Sequence, residues 1–166
     1  MTAGRTARVA IGDGARSSVA TGVAVLDHLL SELALTGSFE LQLEIAPGAP
    51  EAEVGAAGTA LGEAFAPLLT AHGTGSRGLG VVPAEEALAM VVLEVSGNPL
   101  VASNADLTAT RAGGLKTDLA AVFLESLAQA AGLTIHVRLI EGEDSQHVLS
   151  AIFKALGAAL AEACGA

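Results

Sequence analysis

Aromatic side chains are scarce in this chain of 166 residues, which has four phenylalanines and neither tryptophan nor tyrosine. Small residues dominate instead, and glycine alone occupies 20 positions. Small side chains let helices pack closely on sheets, but they bury less apolar area per residue. We therefore expect contacts between subunits to contribute to stability, and we expect a homo-oligomer.

Positive charge is scarce as well, with eight Lys and Arg against 18 Asp and Glu and a net charge of −10. Nucleic-acid binding is excluded, because affinity for a polyanion comes from basic groups that neutralise phosphates. Cys164 is the single cysteine, so an internal disulfide is excluded and a reducing cytoplasm fits. The chain also has no uninterrupted apolar run of about 18 residues and no apolar core typical of a signal peptide at its start. We expect a cytoplasmic protein without a membrane span.

The order of predicted elements is similar in two halves, at about residues 1–80 and 81–166. Each half has a helix that ends at a glycine, then an alternating strand, then a second helix. The helices are predicted at 23–35, 54–71, 118–131 and 146–163, with Gly37 and Gly132 as left-handed caps. Residues 87–103 predict a hairpin with the turn SGNP, residues 51–56 a solvated acidic loop, and residues 72–80 a flexible connection.

A sheet with two helices on one face must cover those helices with apolar surface. A duplicated chain achieves this when its two helical layers pack against each other. We therefore predict an α+β fold in which two mixed β-sheets lie outside and two pairs of helices are sandwiched between them. Residues 1–166 would form a single domain made of two pseudo-repeats.

Several motifs carry a resemblance to a known enzyme family. They are TGVAVLDHLL from Thr21, PAEEALA from Pro83, the SGNP turn, and IHVRLIEGEDSQHVLSAIFKALGAAL from Ile135. The chain resembles imidazoleglycerol-phosphate dehydratase, a manganese enzyme of histidine biosynthesis, from about residue 14 to residue 163. The resemblance implies the same α+β sandwich and a centre of two manganese ions between subunits.

Most of the metal ligands that the resemblance implies are replaced in this chain. His28 and His147 match two of them, whereas Gln146 and Ser150 stand where the family has a histidine and a glutamate. The family motif HHTVED aligns with EAEVGA at residues 51–56, so that its paired histidines and glutamate are absent. We expect no cofactor, or manganese if the family site survives with Glu51 and Glu53 as substitute ligands.

The phosphate-binding residues that the resemblance implies are also mostly replaced. Lys154 matches the family's helix lysine, and Arg77 lies next to the position of one family arginine, which is Ser76 here. Asn98 stands in place of a second arginine, and asparagine cannot reproduce bidentate phosphate binding. Acidic residues in matching segments, Glu85, Glu86 and Glu94, are the candidates for proton transfer, with Glu85 and Glu94 ranked first.

The first functional hypothesis is a catalytically degenerate member of this family that acts as a structural or interaction protein. It would be a homo-oligomer, or it would co-assemble with an intact homologue. The alternative is an active dehydratase, or a related metal-dependent enzyme with substituted ligands. A third hypothesis is a small-ligand binding module that keeps a pocket around Lys154 and Arg77.

Overall fold

The computed structural model describes residues 5–12, 14–71, 73, 75–105, 111–112, 115–116 and 118–165. The strands are β1 (Arg5–Ile11), β2 (Ser18–Ala20), β3 (Phe39–Ile45), β4 (Arg77–Ala84), β5 (Ala87–Val95), β6 (Leu100–Ser103), β7 (Arg111–Ala112), β8 (Leu115–Lys116) and β9 (Leu133–Glu141). The helices are α1 (Ala24–Gly37), α2 (Pro50–Thr70), α3 (Asp118–Ala131) and α4 (Ser145–Ala163), with a short 3₁₀ turn at Gly14–Arg16.

Two mixed sheets form the outer layers of the molecule. The first has the order β1-β3-β2 and the second the order β4-β5-β9-β6, while β7 and β8 form a separate ribbon. In the first sheet β3 pairs antiparallel with β1 and parallel with β2. In the second sheet β9 pairs antiparallel with β5 and parallel with β6 in the same way. The two sheets therefore share a topology, and β4 is an additional strand at the edge of the second.

The helices form the inner layers, as the sequence predicts. Helix α1 packs on α4 and α2 packs on α3, while α2 also covers the first sheet and α4 covers β4 and β5. Each central strand buries one face, so that Phe39, Leu41 and Leu43 point inward while Gln42 and Glu44 are exposed. The predicted α+β sandwich is confirmed. None of the described helices combines the length and the apolar character that a bilayer crossing requires.

The predicted hairpin at residues 87–103 is wrong. Its two strands, β5 and β6, lie in one sheet, but β9 is inserted between them and pairs with both. The turn SGNP is nevertheless a compact turn, in which the hydroxyl of Ser96 accepts from the N–H of Asn98 at 3.0 Å. The chain thus leaves β5, passes over one end of the sheet and returns on the far side of β9.

Strand β4 replaces part of the flexible connection predicted at residues 72–80, of which positions 72 and 74 lie outside the described residues. Its inward positions hold Gly78 and Gly80, where an added Cβ would lie 1.8 Å and 2.1 Å from carbonyl oxygens of α4. Its outward positions hold Leu79 and Val81. The apolar alternation is therefore reversed, because α4 lies directly on the backbone of this strand.

The prediction that Gly37 is a left-handed cap is also wrong. Gly37 is the last residue of α1, and the left-handed position with φ 55° is Ser38. Gly37 serves close packing instead, since a Cβ there would lie 2.6 Å from the carbonyl oxygen of Gly157 in α4. The expected cap at Gly132 has φ 69°, as predicted.

The expected solvated loop at residues 51–56 is wrong, because Glu51 and Glu53 lie in the first turn of α2. Carboxylates are favourable there, next to the positive end of the helix dipole. Only 7% of Glu53 is exposed, and its side chain packs against Gly22.

Candidate functional site

A pocket of about 160 Å³ lies where α1 meets the first turns of α4. It is lined by Val25, His28, Leu29, Gln146, His147, Leu149 and Ser150. The structure therefore brings together His28 and His147, the two histidines that the sequence analysis singled out. It places them on different helices, at the junction between the two halves of the chain.

Local hydrogen bonds fix the start of both helices and so position the two histidines. The buried Thr21 donates its N–H to the carboxylate of Asp27 at 2.8 Å, which anchors the first turn of α1. Asp144 caps α4, because its carboxylate accepts from the N–H groups of Gln146 at 2.9 Å and His147 at 3.2 Å. His147 thus lies in the first turn of an anchored helix, and His28 lies in the second turn of another.

Glu32 is the centre of one polar cluster beside the pocket. Its carboxylate lies 3.2 Å from Nε2 of His28 and 3.4 Å from Nζ of Lys154, and it accepts a hydrogen bond from the hydroxyl of Ser150. His28 and Glu32 are four residues apart on α1, as Ser150 and Lys154 are on α4, so each pair shares a helix face. Only 14% of the Glu32 side chain is exposed. The negative charge of Glu32 is therefore balanced within the protein.

Glu86 is the centre of a second cluster, on the other side of His147. Its carboxylate accepts from the N–H groups of Asp144 at 3.0 Å and Glu143 at 3.1 Å, and it is hydrogen-bonded to Nδ1 of His147. The N–H of Asp144, the imidazole of His147 and the N–H of Glu143 together lower the pKa of Glu86 to about 2. The same hydrogen bond to Glu86 raises the pKa of His147. The hydrogen bond therefore favours the charged form of each partner.

The proton-transfer and phosphate candidates other than Lys154 lie apart from the pocket. Arg77 and Glu94 are paired across β4 and β5, with the guanidinium Nε 3.0 Å from the carboxylate. Strand β4 begins beside the end of α4, where Ser76 donates to the carbonyl of Ala163. With a rise of about 1.5 Å per residue, this end of α4 is roughly 24 Å from His147.

Glu85 occupies the turn between β4 and β5 and has φ 54°, in the left-handed region. Glu85 is exposed, and the residue that contacts His147 is its neighbour Glu86. Glu51 and Glu53, the substitute ligands considered for the metal, do not line the pocket that contains the two histidines.

Glu32 was missed as a candidate by sequence reasoning, and Glu86 was considered only for proton transfer, together with Glu85 and Glu94. The spacing of four residues between His28 and Glu32 is a signal that could have found Glu32. The contact between Glu86 and His147 had no such signal, because these two residues are brought together only by the packing of the hairpin formed by β4 and β5 on α4.

The donor set does not fit a centre of two metal ions. Within the described part of the chain, no group of three or more His, Cys, Asp or Glu side chains is arranged to hold a metal ion. Glu32 and Glu86 are already bound to the two histidines, and the ammonium of Lys154 lies against Glu32. A divalent cation at Glu32 would be repelled by this ammonium.

Comparisons with known proteins give a consistent result. The model of a family described as imidazoleglycerol-phosphate dehydratase matches residues 21–160. The imidazoleglycerol-phosphate dehydratase of Clostridium botulinum is 36% identical over 157 residues, which cover 92% of this chain and 79% of that protein. The protein of the same name from Acetivibrio thermocellus is 34% identical over 163 residues, which cover 95% and 83% of the two chains.

Solved structures of the same name have the same fold. The crystal structure of imidazoleglycerol-phosphate dehydratase from Staphylococcus aureus superposes with a TM-score of 0.83 at 30% identity, covering 96% of this chain and 92% of that one. The crystal structure of the Pyrococcus furiosus protein gives a TM-score of 0.83 at 25% identity, covering 98% and 90%.

Proposed function

Since the chain belongs to the imidazoleglycerol-phosphate dehydratase family, we propose that it keeps the family's fold without its metal-dependent dehydration chemistry. It would act as a structural or interaction protein, as a homo-oligomer or in co-assembly with an intact homologue. A cytoplasmic location belongs to the same proposal.

The observation that carries the proposal is the pairing of both pocket histidines with carboxylates of the same chain. His28 is held by Glu32 and His147 by Glu86, and among the residues that the structure describes neither pair belongs to a group of three His, Cys, Asp or Glu side chains that could hold a metal ion. Protein metal sites that bind firmly use three or more protein ligands in most cases. Two histidines on their own would leave a weak site.

The state of the phosphate candidates supports the same proposal. Arg77 is paired with Glu94, far along α4 from the pocket, and Lys154 is paired with Glu32. A substrate phosphate would have to displace a carboxylate from either cation. Neither residue is presented to the pocket as a free positive charge.

The second candidate function is an active dehydratase, and its support is the 36% identity to a protein of that name. In that case His28 and His147 would bind metal, while Glu32 and Glu86 would orient the two imidazole rings. Carboxylates that accept from the second ring nitrogen are common behind metal-binding histidines. The remaining ligands would have to come from another subunit.

Metal stoichiometry distinguishes these functions. The full chain, purified without a histidine tag from cells supplied with manganese, is measured by elemental mass spectrometry and assayed for manganese-dependent dehydration of imidazoleglycerol phosphate. The Clostridium botulinum relative, prepared in parallel, is the positive control. We expect substoichiometric metal and no dehydration. Stoichiometric manganese together with turnover would contradict the proposal. A His28→Ala variant would then show whether the activity uses this pocket.

The oligomeric part of the proposal rests on exposed apolar side chains. Large hydrophobic residues with about half of their surface exposed are Ile11, Leu35, Leu79, Val81, Leu100 and Ile140. Subunit contacts that cover such side chains would bury further apolar area and so stabilise a protein whose core is made largely of small residues. Light scattering on the same preparation gives the mass, and a monomer would remove this part of the proposal.

A further inference from the structure

Lys154 reaches from α4 to a carboxylate on α1, which is the helix that packs against α4. Its Nζ lies 3.4 Å from Oε2 of Glu32, and 31% of its side chain is exposed. The other groups around Glu32 are the hydroxyl of Ser150 and the imidazole of His28. Lys154 is therefore the permanent positive charge of this cluster.

A carboxylate between two packed helices needs a counter-charge. Burial of an unpaired ion is unfavourable, because the lost hydration is not replaced. In a metal-containing protein a divalent cation would meet this need. In this chain Ser150 supplies a neutral donor and Lys154 supplies the charge, both from the face of α4 that is turned towards Glu32.

We infer that Lys154 is a tethered cation that takes the place of a metal ion between α1 and α4. It neutralises Glu32, holds the two helices together, and keeps divalent cations out of the pocket by repulsion. Its ammonium is then a structural group, in contrast to the phosphate ligand expected from the sequence. The inference rests on the proposed function, because in a chain that bound metal at this pocket the metal ion would neutralise Glu32 and leave Lys154 free to bind phosphate.

The first test is a double-mutant cycle on the full chain with Lys154→Met and Glu32→Gln. Each single variant should lower the Tm by about 2–4 °C, and the double variant should lower it by less than the sum. Arg138→Met is the matched control, since Arg138 is an exposed cation without an ion pair among the described residues. It should leave the Tm unchanged. Additive effects in the cycle would overturn the inference.

Glu32→Gln provides a test that does not depend on whether Lys154→Met folds. The amide oxygen of the variant can still accept from Ser150, so only the charge is removed. The Tm of Glu32→Gln should then fall less as salt is added than that of the natural chain, because the screened ion pair is absent. An identical salt response in the two proteins would overturn the inference.

The second test measures the response of the Tm to manganese, to a chelator and to inorganic phosphate. The natural chain should respond to none of them, whereas Lys154→Met should gain a manganese-dependent rise in Tm that Lys154→Met/Glu32→Gln lacks. A Lys154→Met variant whose Tm does not respond to manganese would overturn this inference but not the proposed function. A natural chain stabilised by manganese would overturn the proposed function as well. Stabilisation by phosphate that is lost in Lys154→Met would restore Lys154 as a phosphate ligand.

Discussion

Glu86 connects two parts of the chain that are distant in sequence. It lies at the turn before β5, accepts two N–H groups from the loop before α4, and binds the imidazole of His147. A single carboxylate therefore positions both the start of α4 and one wall of the pocket. Because the pair is exposed to solvent, its strength depends on the charge of both partners and on ionic strength.

The pH dependence of the Tm should show how much the pair of His147 and Glu86 contributes to stability. The pKa of His147 is raised above 6.5. The contribution of His147 to folding stability is therefore complete below pH 6.5 and is lost as the pH rises through the raised pKa. The pKa of Glu86 is lowered from 4.5 to about 2, so its contribution is complete above pH 4.5 and is lost as the pH falls towards 2. The difference in Tm between the natural chain and Glu86→Gln should be largest between pH 4.5 and 6.5.

Glu85→Gln is the control for this measurement, because Glu85 is the exposed neighbour that makes no hydrogen bond within the described part of the chain. The difference in Tm between Glu85→Gln and the natural chain should be smaller than that for Glu86→Gln throughout the titration. A difference for Glu86→Gln that does not change with pH would show that the ion pair makes no contribution to folding.

The sequence predicted part of this site and missed the rest for a physical reason. His28 and His147 lie in recognisable motifs, and the packing of the two helical layers against each other was expected from the fold. Their partners, Glu32 and Glu86, are ordinary acidic residues in an acidic protein. Side-chain pairing between Glu86 and His147 depends on how the hairpin formed by β4 and β5 lies on α4, and local sequence carries no information about that contact.

At the scale of elements, glycines at helix contacts explain much of what the patterns predicted and missed. Strand β4 escaped prediction because its inward residues are glycines rather than large apolar side chains. The alternating strands β3 and β9 were predicted because their inward faces are large and apolar. The hairpin at residues 87–103 was wrong since β9, which separates its strands, comes later in the chain.

The contact between α1 and α4 should be intolerant of even one methyl group. An added Cβ at Gly157 would lie 2.4 Å from the carbonyl oxygen of Leu33, which is backbone and cannot move aside alone. Gly157→Ala should therefore lower the free energy of unfolding by about 1–3 kcal/mol, despite the better helix propensity of alanine. Urea unfolding with an unchanged slope would give this value.

Gly55 in α2 is the matched control. A Cβ at this position would meet its nearest neighbours, Ser126 and Val122, at 3.7 Å, which is ordinary contact. Gly55→Ala should raise the free energy of unfolding by about 0.5–1 kcal/mol. If Gly157→Ala were stabilising to the same extent, the close approach of α1 and α4 would have no role in the stability of the fold.

At the scale of the whole molecule, the two halves share one core. The buried apolar side chains form a single cluster that includes residues of both sheets and all four helices. Phe39 and Phe65 pack edge to face within the first half, with ring centroids 4.9 Å apart. Phe123 and Phe153 pack within the second half at 5.4 Å. The halves meet where α1 packs on α4 and α2 on α3, so neither half can bury its helices alone.

The division into a single domain with two pseudo-repeats therefore predicts one cooperative transition. Phe39→Leu and Phe123→Leu remove volume from opposite halves, and each should lower the free energy of unfolding by about 1–2 kcal/mol. Both should shift the same transition, because the loss of either half exposes the helix faces of the other. Circular dichroism during urea unfolding measures the shift, and hydrogen exchange assigns it to each half. Two separate transitions, each moved by only one of the substitutions, would show that the halves are independent domains.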